Sequence, residues 1–285
     1  MTTPGLSHGR AHGGDARCLR ARVRALLGLA LVVASPLPGV LVAQEAASLV
    51  PRAPLVASDS PPLESAPPTR AERLAADAAR AAAATDDGFR ILVSIADRRL
   101  LVLDGADTLM SAQAAVGMDR RLTFDGRSWT FRSPRGVRVV KGKSERDAWI
   151  PPDWHYAEVA REYHLRLARL PADSEVVLGD GNILTVRNGE AGIVRPDGSF
   201  SALPTAEEIV FDSTLYIPPM ATQNRAVPGQ LGEYQLDLGN GYLIHGTPEK
   251  ESIGTASTHG CVRLGDEEIA WLFAHVPVGT PVYIY

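Results

Sequence analysis

Two short runs hold the residues most able to do chemistry: Ile244-His245-Gly246-Thr247 and Ser257-Thr258-His259-Gly260-Cys261-Val262-Arg263. Cys261 follows His245 by sixteen residues, and the chain's second cysteine, Cys18, lies in a segment expected to be removed. A lone thiol in an exported protein has no disulfide partner, whereas a thiolate is a strong nucleophile. An imidazolium beside it would stabilise the thiolate and later protonate a leaving amine. His245 suits that role, because it ends an apolar strand and Gly246 lets the backbone turn closely behind it. No acidic residue is an obvious partner to fix the ring, so a backbone carbonyl is the expected orienter. The turn Thr258-His259-Gly260-Cys261 suits an oxyanion hole, since Gly260 lets successive N–H groups converge on one point. Each such donor is typically worth about 3 kcal/mol in the transition state.

From the residues alone, other roles stay open. Cys261 could pack as a small hydrophobe. His245, His259 and Cys261 are all zinc-ligand types, although a closed site needs a fourth ligand and no second cysteine or well-spaced acid is obvious nearby. His259 either orders the turn through a hydrogen bond or acts as a second base. Arg263 is either a surface charge or a guanidinium for a substrate carboxylate. Two residues past Cys261 on a strand, it should share the thiol's face.

The elements that must position these groups read mainly as strands. Ile91–Ile95, Leu100–Leu103 and Thr108–Met110 are short apolar runs separated by Asp/Gly and charged turns, the pattern of an antiparallel meander. Val137–Val140 alternates after Ser133-Pro134-Arg135-Gly136, and Tyr234–Leu238 alternates before Gly239-Asn240-Gly241 turns the chain into Tyr242–His245. Val282–Tyr285 forms a further strand. Residues 152–217 break this grammar. Val159, Tyr163, Leu167 and Leu170 have helical spacing over Ala157–Leu170, ended by Pro171, and short strands near 175–178 and 192–194 follow. We expect a mixed α/β insertion here, either a cap over the site or a packed embellishment.

Upstream, five arginines between residues 10 and 24 precede an apolar stretch from Ala25 to Val42, with small Ala43 before Gln44. That is the pattern of a signal peptide over 1–43. Pro36, Pro38 and Gly39 interrupt the run short of the roughly 20 residues a spanning helix needs. Without this segment the balance moves from 29 basic and 33 acidic residues to 24 and 32, or from −4 to −8. An acidic chain of this kind lacks the basic face that nucleic-acid binding requires. Residues 44–88 read as a Pro/Ala-rich linker followed by a solvated helix over Ala71–Ala84, opened by the capping-box spacing Thr69-Arg70-Ala71-Glu72. The catalytic region is then 89–285.

His245-Gly246-Thr247 together with Ser257-Thr258-His259-Gly260-Cys261-Val262-Arg263-Leu264 resembles the signature of the L,D-transpeptidase catalytic domain, the YkuD-type family. The likeness extends to the strands around 90–117, to Ser133-Pro134-Arg135-Gly136 (serine where the family often has threonine) and to the last strand. It implies a mainly β, sandwich-like fold and a cofactor-free reaction with no metal. It implies Cys261 as nucleophile, His245 as base and acid, the Gly246 carbonyl as orienter and the amides of His259, Gly260 and Cys261 as oxyanion hole. Arg263, Ser257 and Thr258 are the expected substrate contacts. The implied substrates are peptidoglycan stem peptides, cut between the third residue and D-alanine in the periplasm or cell wall. The acyl group passes to an amine of another stem or, in some members, to a lipoprotein lysine. Hydrolysis of the same acyl-enzyme is the alternative outcome, and a catalytically silent wall-binding module a third. The insertion departs from minimal family domains.

Overall fold

The computed structural model describes residues 60–173 and 175–285. The signal segment, Cys18 and the first part of the linker lie outside them. Two sheets face each other across one apolar core. The first runs Asp107–Gln113, Arg99–Asp104, Arg90–Ser94, Pro281–Ile284, Gly136–Val139 in hydrogen-bonded order. The second runs Val262–Arg263, Leu243–His245, Tyr234–Asp237, Gly142–Glu145. Alternation along each strand decides what enters the core. Ile91, Val93, Leu100 and Val102 come from the first sheet, Leu236, Ile244 and Val262 from the second, and all are at most 1% exposed. A helix, here α3 (Asp266–His275), adds Ile269 and Leu272 to the same core.

The outer face of the first sheet is covered too, and this changes the reading of the linker helix. Helix α1 (Arg70–Thr85) has the full capping box expected at its start: Glu72 N–H donates to Thr69 Oγ1 and Thr69 N–H to the Glu72 carboxylate. Its Ala79 and Ala83 pack on Leu92 and Tyr283 instead of facing water all round. Small alanines let the helix approach closely, which explains the uninterrupted apolar run at Ile91-Leu92-Val93 in a strand buried on both faces. Tyr283 Oη donates to Asp86 at the helix end, 2.7 Å away.

Residues 152–217 fold as a helix with two small sheets. Helix α2 (Asp153–Glu162) begins earlier and ends earlier than the apolar spacing suggests. Pro152 occupies its N-cap, and His164 beyond its end takes φ 54° and turns the chain away. Leu167 therefore lies on a strand, Arg166–Arg169, paired in parallel with Thr214–Ile217. Four residues between apolar side chains fit a helix or a turn followed by a strand, and tertiary pairing selected the second. A four-stranded antiparallel sheet (Val176–Val177, Ile183–Arg187, Glu190–Val194, Phe200–Ala202) completes the insertion. Its core of Leu170, Leu178, Leu184, Ala191, Ile209 and Tyr216 is its own. Among the described residues, no helix is long and apolar enough to cross a membrane.

Candidate active site

The site is built on two neighbouring parallel strands, Leu243–His245 and Val262–Arg263, in which Ile244 pairs with Val262 and His245 with Arg263. Ile244 and Val262 enter the core, so alternation turns Leu243, His245 and Arg263 to the other side. Cys261, immediately before Val262, shares that side. The connection between the strands is pinned from below. Val116–Gly117 pairs in parallel with Ala256–Thr258, Met118 N–H donates to the Thr258 carbonyl at 3.0 Å, and Ala115 and Arg263 exchange both backbone bonds. The Ser133 hydroxyl, 1% exposed, accepts the Gly117 amide at 2.9 Å, which gives the Ser-Pro-Arg-Gly run a structural task beneath the site.

His245 is 4% exposed, and its Nδ1 donates to the Gly246 carbonyl 2.5 Å away. A carbonyl only accepts, so Nδ1 carries the proton and Nε2 keeps its lone pair. Burial lowers the ring to about 4; the Gly246 and Leu231 backbones pull it back up and the Arg263 charge pushes it further down. A glycine just ahead of the neighbouring strand Tyr234–Asp237 makes this packing tight. A side chain at Gly232, which has φ +70°, would sit 2.7 Å from Gly246 Cα. Cys261 is half-buried, with Sγ 3.9 Å from the Gly241 carbonyl. Desolvation pushes its thiol up, against the Leu243 backbone and the Arg263 charge. Both shifts favour a neutral thiol and a neutral imidazole at rest. That differs from the ion pair the residues suggested, and the cause is the depth at which the strand places the ring.

The turn carries its own braces. Thr258 Oγ1 donates to the Cys261 carbonyl at 2.6 Å and accepts the Gly260 amide at 3.2 Å. Thr258 is 1% exposed, so it holds the turn and offers no surface to a substrate. The Gly260 amide is likewise spent within the turn, which removes it from the expected set of oxyanion donors. Gly260 itself has φ +141°, and a Cβ there would stand 2.9 Å from the Arg132 carbonyl and from the Tyr242 ring. Ser257 is exposed, its hydroxyl accepting from Thr255 Oγ1 at 2.7 Å. Arg263, expected to face a substrate carboxylate, forms an ion pair with Glu249. Glu249 in turn is fixed by Thr247 Oγ1, 3.1 Å from its amide, and by Gln230 Nε2 at 3.3 Å.

His259 points away from the thiol's partners and into the insertion. Its ring stacks on Trp154 with centroids 4.0 Å apart and planes at 15°, and meets the edge of Phe131 at 4.4 Å. Nε2 lies 2.9 Å from a Glu158 carboxylate oxygen. Sequence reasoning missed Glu249, Glu158 and Trp154. Only Trp154 carried a signal, as part of the aromatic run Trp154-His155-Tyr156 after Pro151-Pro152. Among the described residues no group of three or more His, Cys, Asp or Glu side chains is placed to hold a metal.

The pattern of the L,D-transpeptidase catalytic domain (YkuD) matches residues 88–284. A probable L,D-transpeptidase ErfK/SrfK of Salmonella typhimurium is 30% identical over 169 residues, 52% of this chain and 52% of that protein. The probable L,D-transpeptidase YbiS of Escherichia coli K12 is 52% identical over 52 residues, 18% of this chain and 17% of its own. The chain thus spans about half the length of the first relative and less of the second. Among solved structures, an L,D-transpeptidase from Xylanimonas cellulosilytica is 14% identical and covers 70% of this chain and 62% of its own, with a TM-score of 0.38. One from Mycobacterium smegmatis, also 14% identical, covers 69% and 58% with a TM-score of 0.35. With the domain pattern running through nearly all of the two-sheet body and its insertion, the chain belongs to the L,D-transpeptidase catalytic-domain family.

Proposed function

We propose that this protein is an exported cysteine L,D-transpeptidase that remodels or cross-links peptidoglycan in the periplasm or cell wall. The observation that carries the reading is the pairing of adjacent parallel strands that present Cys261 and a buried His245 with a fixed tautomer. In the proposed reaction His245 Nε2 takes the Cys261 proton as sulfur attacks the carbonyl between the third stem residue and D-alanine. The oxyanion is received by the amides of His259 and Cys261. The imidazolium, its Nδ1 proton still held by Gly246, then protonates the departing D-alanine amine and leaves a thioester. An acceptor amine, of a second stem or of a lipoprotein lysine, attacks the thioester and passes its proton to His245 as the thiol leaves. Burial of the ring serves both halves: a desolvated imidazole is neutral when a base is needed, and its imidazolium is a strong acid. Arg263 acts by holding Glu249 and the loop after His245, not by binding the stem.

The test is incubation with a disaccharide tetrapeptide, with products read by mass. A cross-linked dimer with loss of one D-alanine is the expected product, and Cys261→Ala should yield none. A tripeptide alone would replace the transferase by a hydrolase. Full turnover by Cys261→Ala would overturn the mechanism.

A further inference from the structure

Trp154 and Glu158 stand four residues apart on helix α2, hence on one face, and both engage the single side chain of His259. His259 is two residues before the nucleophile and within the braced turn. We infer that Trp154 and Glu158 are positioning residues of the reaction: through His259 they hold the catalytic turn in register with His245, so that the insertion is a working wall of the active site. The inference rests on Cys261 being the nucleophile.

The helix is fit for this because it is immobilised on other sides. Tyr156 and Ala160 pack against Leu215 and Ile217 of the insertion, while Ala157 packs against Leu122 and Phe131 of a separate small sheet built on the strands Arg120–Phe124 and Arg127–Phe131. At its start Asp153 lies 3.7 Å from Arg225, whose guanidinium also stands 4.8 Å over the Tyr156 ring. A ring wedged between Trp154 and Phe131 and tied at Nε2 has little freedom, and its backbone carries that restraint to Gly260 and Cys261. Thr258 and Gly260 restrain the turn from inside; the grip on His259 restrains it from outside. Small displacements of a reacting group can cost about 100-fold in rate, so such a restraint has room to matter.

The experiment uses the full chain with Glu158→Gln, Trp154→Leu and Trp154→Phe, well below each variant's melting temperature. Alkylation by iodoacetamide is read at the Cys261 peptide by mass, which needs no stem substrate. Glu158→Gln and Trp154→Leu should slow Cys261 labelling by about 10-fold, with Trp154→Phe intermediate because it keeps a ring face. With the tetrapeptide, kcat should fall in parallel while KM holds, as expected of residues that act through His259 and not on the substrate. Glu158→Gln placed in a His259→Gln background should add no further loss, because both act through one contact. Wild-type labelling in Glu158→Gln and Trp154→Leu would overturn the inference, as would effects that add in full to those of His259→Gln. A lowered melting temperature with unchanged labelling would make the contact merely structural and overturn it too. Absence of tetrapeptide turnover in the wild type would instead sink the proposed function and leave the labelling arm to judge the wall.

Discussion

The two-sheet body and the insertion bury their apolar residues in different ways. In the body, side chains from both sheets and α3 meet in one continuous cluster, and the strands that carry His245 and precede Arg263 contribute Ile244 and Val262 to it. The insertion's small sheets close over a separate cluster around Leu184 and Tyr216. Helix α2 packs between the insertion's strand Thr214–Ile217 and the hairpin of Arg120–Phe124 and Arg127–Phe131, and Gln223 and Asn224, beyond the insertion, hydrogen-bond to Gly189 and Ala191 within it. The lesson is that the strands presenting His245 and Arg263 are fixed by the body's continuous core, whereas the outer side of the Cys261 turn is gripped by helix α2 of the insertion. Disruption of one should therefore be separable from disruption of the other.

His245→Gln tests the body at its chemical centre and should show the largest effect, a loss of about 10²–10⁴ in turnover typical of removing a general acid–base. The pH profile sharpens it. With the ring lowered to about 4, the base stays neutral and competent well below the ordinary histidine range, so the acid limb of kcat/KM should fall as pH approaches 4. The same shift has a stability sign. Below about 6.5 the unfolded chain takes up a proton that the folded ring refuses until about 4, so stability drops as pH falls through that window and is flat for this group above it. Melting curves at pH 7 and pH 4.5 should separate the wild type from His245→Gln, the wild type losing more. An equal loss in both would remove burial as the cause of the shift.

A matched pair of core truncations comes next. Leu236→Ala and Leu184→Ala each delete a side chain that is 0% exposed, at a cost of about 2–5 kcal/mol. Leu236→Ala should lower the main melting transition and disturb Cys261 labelling along with it. Leu184 lies in a cluster that α2 does not join, so Leu184→Ala should raise amide exchange within residues 176–217 while α2 keeps its grip on His259 and Cys261 labels at the wild-type rate. Coupled losses in both variants would erase the distinction between body and insertion. The smallest effect belongs to Thr69→Ala, which removes the α1 cap for about 1 kcal/mol. In a folded unit of this size that is a fall of roughly 2–4 °C in melting temperature, with labelling untouched.

Much of the body was legible because its strands are short, apolar and separated by turns, and each shows alternation or a doubly covered run. The proposed pair, Cys261 and His245, was legible as a candidate because residue types and local spacing single it out. What lay beyond reach depends on distant pairings. Glu158 and His259 are 101 residues apart, and nothing near either announces the other. Arg263 looked free for a carboxylate because Glu249 reaches it only once the loop after His245 folds back. The alanines of α1 read as a solvated helix for a related reason: alanine is a good helix former in water and a good spacer against a sheet, and sequence does not distinguish the two uses. The overlong helix at 157–170 failed at His164, where one left-handed residue redirected a pattern that a strand satisfies equally well.

The order of strands in the first sheet sets a timetable for assembly. Pro281–Ile284 lies between Arg90–Ser94 and Gly136–Val139, with Ile91 opposite Val282 although 191 residues separate them. The sheet cannot close until residue 284 is free to enter its centre. A chain that emerges from its N-terminus keeps that edge of Arg90–Ser94 unpaired until residues 281–284 have been made. Contacts of such long range make folding slow. The same arrangement makes completion of the sheet that faces the His245 strand across the core a late step, taken only when Pro281–Ile284 arrives.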